Sequence, residues 1–232
     1  MRSIKAIFKK QIKDLIKNKE TLIMFLVFPG VAFLMTQFIA RQNPDIPNTT
    51  FVAQFMSMFS CMVIIQTTAL IIAEEKEKKS LKFLMMAGVK QYEYIIGIGG
   101  ALAAASAVIG LIFAWIGELG GQEFWIFLGF FILNVLISIL IGATCGLFSR
   151  NVQHSTAIAT PIAFIFGFLP MFASFNENLY NIVRYVYATQ FAFLTFDFSV
   201  DVMEPLLITG ANFVIFAILF AIVYRVRGLA KG

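Results

Sequence analysis

The sequence predicts an all-α integral membrane protein with six transmembrane helices, and three observations carry that prediction. Its 232 residues are 59% hydrophobic and 13% charged, with a mean hydropathy of +0.85, whereas soluble domains carry roughly 25% charged residues. Apolar runs of about 20 residues recur along the chain, each long enough to cross a ~30 Å hydrocarbon core as a helix. Lysine and arginine collect in alternate connections between those runs, the asymmetry that membrane insertion leaves in a sequence.

The runs lie at roughly 21–40, 51–73, 94–117, 124–148, 155–175 and 205–224. The first reads as a retained span, because Arg41-Gln42 stands where a cleaved leader would show small residues. One side of the membrane receives Arg2, Lys5, Lys9, Lys10, Lys13, Lys17 and Lys19, then Lys76, Lys78, Lys79, Lys82 and Lys90, then Arg150, Arg225, Arg227 and Lys231. Only Arg41 and Arg184 of the 18 basic residues remain for the other side. Both termini and the 74–93 segment are therefore expected in the cytoplasm. The net charge of +5 is a topological signature and does not suggest nucleic acid as a partner.

Residues 179–198 could be scored as a seventh span. That would carry Arg184 into the bilayer at about 2.5–3.5 kcal/mol and move the basic C-terminal tail outside. Residues 176–203 are read instead as an aromatic external segment, interfacial or re-entrant, before the last span.

At the N-terminus Ile4, Phe8, Ile12 and Leu15, with Ile7 and Ile16, recur at helical spacing among lysines. This predicts an amphipathic helix over 1–20 lying in the interface, leaving 21–232 as the membrane domain. The helix either anchors the first span or joins the membrane domain to a cytoplasmic partner; both readings fit the segment. Pro29-Gly30, Pro161 and Pro170 mark expected bends. Gly142 and Gly146 form a small-xxx-small pair that predicts close helix packing, as do the small residues of the third span.

The chemistry missing from the spans narrows the function. No Asp, Glu or His is central to any run, which disfavours a proton relay. No phosphate-binding G-x-x-x-x-G-K-[ST] loop, G-x-S-x-G elbow or Cys/His metal cluster occurs, and Cys61 and Cys145 read as packing residues. The chain reads as neither an enzyme nor a cofactor protein. If it does work, the energy enters from a partner.

Between the second and third runs stands EEKEKKSLKFLMMAGVKQYEY, residues 74–94. Ser80 is placed to cap a short helix, Leu81, Leu84, Met85 and Gly88 follow i, i+3, i+4, i+7, Phe83 and Met86 widen the apolar side, and Gly88 stops the helix. Such a face either seats in a partner's groove or lies on lipid headgroups; periodicity fits both.

The order of these residues carries a resemblance. Glu75-x-Glu77-x-Lys79-Ser80-Leu81-x-x-Leu84, then Gly88-Val89 and Tyr92, resembles the first cytoplasmic loop of ABC-2 type transporter permeases, which typically reads E-x-E-x-G-T-L-x-x-L. Lys79 stands where the family usually has Gly, and Ser80 where it has Thr. The basic N-terminus, the Gly146-Leu147-Phe148-Ser149-Arg150 exit and the Pro161…Gly167-Phe168-x-Pro170 span fit the same pattern.

The resemblance implies a membrane subunit of an ABC exporter in a cell membrane, bacterial by expectation. Two copies of a cytoplasmic ABC ATPase would bind ATP and Mg, and a second permease chain, identical or a sister, would complete the pathway. Residues 81–87 would be the coupling helix, with Glu75, Glu77, Ser80, Leu81, Phe83, Leu84, Met85, Met86 and Gly88 at the ATPase-docking region. Ile4, Phe8, Ile12 and Leu15 would belong to a connecting helix. A gradient-driven carrier or channel, and a non-transporting scaffold or immunity subunit, are the competing readings.

Overall fold

The computed structural model describes residues 2–86, 88–199 and 201–227, and every regular element among them is helical. Ala87, expected in the coupling helix, and Lys231 of the basic tail lie outside the described residues. Helix α1 (Arg2–Lys17) is followed by α2 (Lys19–Phe38) and a 3-10 turn (Ala40–Gln42). Asn18 separates the first two because its side chain accepts from the Thr21 N–H at 3.2 Å and restarts the helix as an N-cap. The second span is one continuous rod built of α3 (Thr49–Met58), a π-helical turn (Phe59–Val63) and α4 (Ile64–Glu77). The short α5 (Ser80–Met86), α6 (Gln91–Ile116), α7 (Gly121–Phe148) and α8 (Val152–Phe175) follow, then α9 (Glu177–Val183), α10 (Tyr187–Phe196) and α11 (Met203–Arg227).

Six segments are long and apolar enough to cross a membrane: Lys19–Gln42, Thr49–Glu77, Gln91–Ile116, Gly121–Phe148, Val152–Phe175 and Met203–Val226. They coincide with the six apolar runs of the sequence, so the chain is an all-α, multi-pass integral membrane protein. The expected proline bends do not interrupt these helices: Pro29 lies inside α2, and Pro161 and Pro170 inside α8. In hydrocarbon an open break would leave backbone groups without water, which favours keeping the remaining hydrogen bonds on either side of each proline.

Helix α7 is the centre of the bundle and packs on α4, α6 and α11. Its approach to α4 runs over the two glycines singled out in the sequence. A Cβ at Gly142 would lie 2.5 Å from the Ile65 carbonyl oxygen, and one at Gly146 would lie 2.8 Å from the Ile72 Cβ. Only hydrogen at those positions lets the two backbones touch. Further along α7 the rings of Phe59, Phe113, Phe127, Phe131 and Phe191 form a buried cluster of stacked, tilted and edge-on pairs with neighbouring centroids 5.6–6.1 Å apart.

The segment before the last span is re-entrant. Helix α10 is buried against α3, α7, α8 and α11. The Tyr187 hydroxyl reaches Ser138 Oγ (3.0 Å) and Cys61 Sγ (3.4 Å), both mid-span. Asn212, about 13 Å along α11 from its start at 1.5 Å per residue, donates to the Tyr185 carbonyl at 2.8 Å. The intervening Arg184 lies with its guanidinium 3.9 Å from Glu204 near the start of α11, so its charge meets a carboxylate rather than lipid.

Helix α1, the expected amphipathic helix, turns its apolar stripe toward the bundle. It packs along α6, with Ile7 above Gly97, where a Cβ would stand 2.7 Å from Ile7 Cγ2, and Phe8 above Gly100. Leu15 is buried, Ile4, Phe8 and Ile12 are half-buried, and Ile16 alone of this stripe is exposed.

Candidate functional site

The charged sequence that leaves α4 is a clamp. Successive residues on a helix point about 100° apart, so Glu75, Lys76 and Glu77 meet three different neighbours. Glu75 accepts from Lys10 of α1 at 2.6 Å and from the Ser80 hydroxyl at the start of α5. Lys76 donates to the carbonyls of Leu147 (2.9 Å) and Ser149 (2.7 Å), the orphan acceptors at the end of α7. Glu77 accepts from the Val152 N–H at 3.0 Å, at the positive end of α8. Glu74 pairs with Lys78 one turn on, and that hydrogen bond raises the Lys78 pKa above its usual value.

These ties differ in strength. Lys10 is more than half exposed, so its pair with Glu75 is worth about 1 kcal/mol or less. The Lys76 bonds are charge-assisted and part-buried, in the class worth about 1.5–3 kcal/mol. The end of α4 is therefore held chiefly to α7, with α1, α5 and α8 attached to the same three residues.

Helix α5 starts and stops by backbone geometry. Lys79 adopts φ = 55°, the left-handed region, at about 1 kcal/mol or more for a side chain with a Cβ. This is the position where the resembled pattern has Gly, and the turn forms despite the substitution. Ser80 is not the expected N-cap: its hydroxyl donates backward to the Glu75 carbonyl and carboxylate, so the residue staples α5 to α4. At the other end Gly88 has φ = 86°, its N–H donates to the Met85 carbonyl and the Val89 N–H to that of Leu84. That pair of bonds is a Schellman stop, as expected for Gly88.

The apolar residues of α5 divide in a way the spacing did not reveal. Leu81 is 2% exposed, and Leu84 and Met85 pack against the core with Val89. Phe83 and Met86 are 66% and 68% exposed. The i, i+3, i+4 stripe is thus the seat of α5, and its free apolar surface is Phe83 with Met86. Of the two tyrosines after the stop, Tyr92 is exposed while Tyr94 is 3% exposed and belongs to the core. Sequence reasoning did not single out Lys76, Lys10 or Tyr187. A lysine among glutamates carries no signal of the helix end it will cap, and a tyrosine in an aromatic segment none of its depth.

Six spans, five of them gathered as α7 and its neighbours, with a re-entrant helix and a short helix clamped outside the second and third spans, define a polytopic membrane protein of the permease class. The family description ABC-2 family transporter protein matches residues 4–225, and the chain belongs to the ABC-2 transporter family. It is a transporter permease subunit, the membrane component of its system. No curated protein matches the sequence.

Proposed function

We propose that this permease works as an exporter powered by a separate cytoplasmic ABC ATPase, present in two copies, with a second permease chain completing the pathway. ATP and Mg would be bound by the ATPase. Both termini and α5 would face the cytoplasm, which the distribution of Lys and Arg supports, in a cell membrane of bacterial type. The cargo would be a drug, a peptide or another amphipathic molecule.

One observation carries the reading: α5 offers Phe83 and Met86 outward while Leu81 beneath them and the Glu75–Ser80 bond fix the helix to α4. A partner that grips this apolar pair moves the end of α4, and with it α1, α7 and α8 through Glu75, Lys76 and Glu77. A headgroup anchor would have no use for so many fixed attachments.

The test is affinity purification of the tagged chain from its native membranes beside a Phe83→Glu/Met86→Glu variant. A stoichiometric phosphate-loop ATPase is expected with the wild type and is expected to be lost with the variant. Thermal unfolding of the two permeases should coincide, because both side chains are exposed. A Leu84→Glu/Met85→Glu variant should lose stability as well as the ATPase. Equal ATPase recovery with the Phe83/Met86 variant would refute α5 as the docking point, and its absence from the wild type would favour a carrier or a scaffold.

A further inference from the structure

A cavity of about 340 Å³ opens between α1, α2 and α4 at the same end of the bundle as α5. Its wall includes four carboxylates, Asp14, Glu20, Glu74 and Glu75, and no Lys or Arg, although α1 alone carries Lys5, Lys9, Lys10, Lys13 and Lys17. Lys10 and Lys78 pair with Glu75 and Glu74. Among the described residues Asp14 and Glu20 have no ion pair, so the cavity keeps uncompensated negative charge.

Two buried polar side chains also face this space. Gln11 and Thr67 line it, are 7% and 6% exposed, and make no side-chain hydrogen bond among the described residues. Thr68, the next residue, bonds back to the Ile64 carbonyl at 2.7 Å, the usual way a membrane helix satisfies a hydroxyl. Thr67 does not. Their polar atoms keep access to the space they line instead of being sealed inside the bundle, so they are free to meet a ligand there.

Leu15 and Thr21 line this cavity and also a second space of about 370 Å³, an almost wholly apolar groove formed by Ile12, Leu22, Phe25, Ala105 and Ile109 with their neighbours. An anionic chamber and an apolar groove thus share a wall. The first matches a cationic head, the second a hydrocarbon or aromatic body, and a bare metal ion would leave both volumes unfilled.

We propose that this paired cavity is a binding site for monovalent organic cations with an apolar body, and that such cations are the class of molecule the permease takes up from the α5 side. The proposal rests on the exporter reading for its transport step, but not for binding. Asp14 and Glu20 supply the attraction, Gln11 and Thr67 supply polar contacts in the chamber, and the groove beside Leu15 receives the apolar part. Asp14 and Glu20 are solvent-exposed, and two like charges beside an apolar groove favour a cation over an anion of the same shape.

The experiment uses the full chain in nanodiscs of zwitterionic lipid, with empty discs subtracted, and equilibrium dialysis of radiolabelled tetraphenylphosphonium. Tetraphenylborate, of nearly the same size and opposite charge, is the counter-probe. Saturable tetraphenylphosphonium binding at one site per chain is expected, with no saturable tetraphenylborate binding. Asp14→Asn/Glu20→Gln, which touches no ion pair, is expected to weaken the cation at least tenfold, with its unfolding midpoint checked against wild type. Thr67→Val should weaken it less. Equal binding of the two probes, equal binding by wild type and the double variant, or no saturable binding would each overturn the proposal. Scoring ATPase capture on the same preparation separates the two readings: capture without cation binding sinks the cavity alone, and cation binding without capture sinks the exporter alone.

Discussion

Replacing Gly142 by alanine should open the seam between α4 and α7. The added Cβ would sit 2.5 Å from the Ile65 carbonyl oxygen, 2.7 Å from the Thr68 Cβ and 3.1 Å from the Ile65 Cα. Ordinary contact between such atoms begins near about 3.4 Å, and two of the three atoms belong to backbone, which cannot swing aside as a side-chain tip can. Overpacking of this kind costs about 1–3 kcal/mol. The better helix propensity of alanine offsets less than about 1 kcal/mol of that. A net loss of about 1–2 kcal/mol corresponds to a midpoint lowered by roughly 2–8 °C in a chain of this size.

The two cysteines make the assay direct. Cys61 is 0% and Cys145 5% exposed, and they lie on the two rods that meet at this seam. A thiol-reactive fluorogenic maleimide therefore stays dark until the bundle opens, and heating the purified protein with it reads the midpoint. Gly129→Ala is the control on the same helix, because nothing lies within 4 Å of its Cβ position. Its midpoint should match or slightly exceed that of wild type. If Gly142→Ala melts with Gly129→Ala, the seam is softer than these distances say and the reasoning from close approach fails.

Lys79→Gly should leave the permease as stable or more stable, by up to about 1 kcal/mol, since glycine adopts φ = 55° without the Cβ clash while adding some unfolded-chain entropy; a clear drop in the same melting assay would show that the Lys79 side chain does something beyond the turn. Tyr187→Phe removes the hydroxyl shared by Ser138 and Cys61, and a double-mutant cycle with Ser138→Ala should return a coupling of about 0.6–1.7 kcal/mol; a coupling near zero would mean that the buried hydroxyls are satisfied another way.

Much of this protein was legible in its residues because the bilayer imposes one-dimensional rules. Six spans, their helical class and the reading of 176–203 as something other than a seventh span follow from hydrophobic length and the cost of burying Arg184, quantities that need no knowledge of neighbours; that the segment is re-entrant was decided by the burial of α10. Gly88 announced a helix stop because few other residues accept its φ, and Gly142 with Gly146 announced a close approach because only hydrogen permits one. Tertiary structure decided the rest. Leu81, Leu84 and Met85 have the spacing of a binding stripe, yet a seven-residue helix apolar on most sides has no periodicity that says which side is the seat. Phe83 and Met86 became the free surface only when α5 came down on α4. Glu75, Lys76 and Glu77 read only as a polar stretch leaving the membrane, with Glu75 and Glu77 given to the docking region by resemblance, because the partners they tie lie up to 75 residues away on other helices. Pattern within one helix is set by the solvent around it, whereas the meaning of a side chain at its end is set by whichever helix the fold brings there.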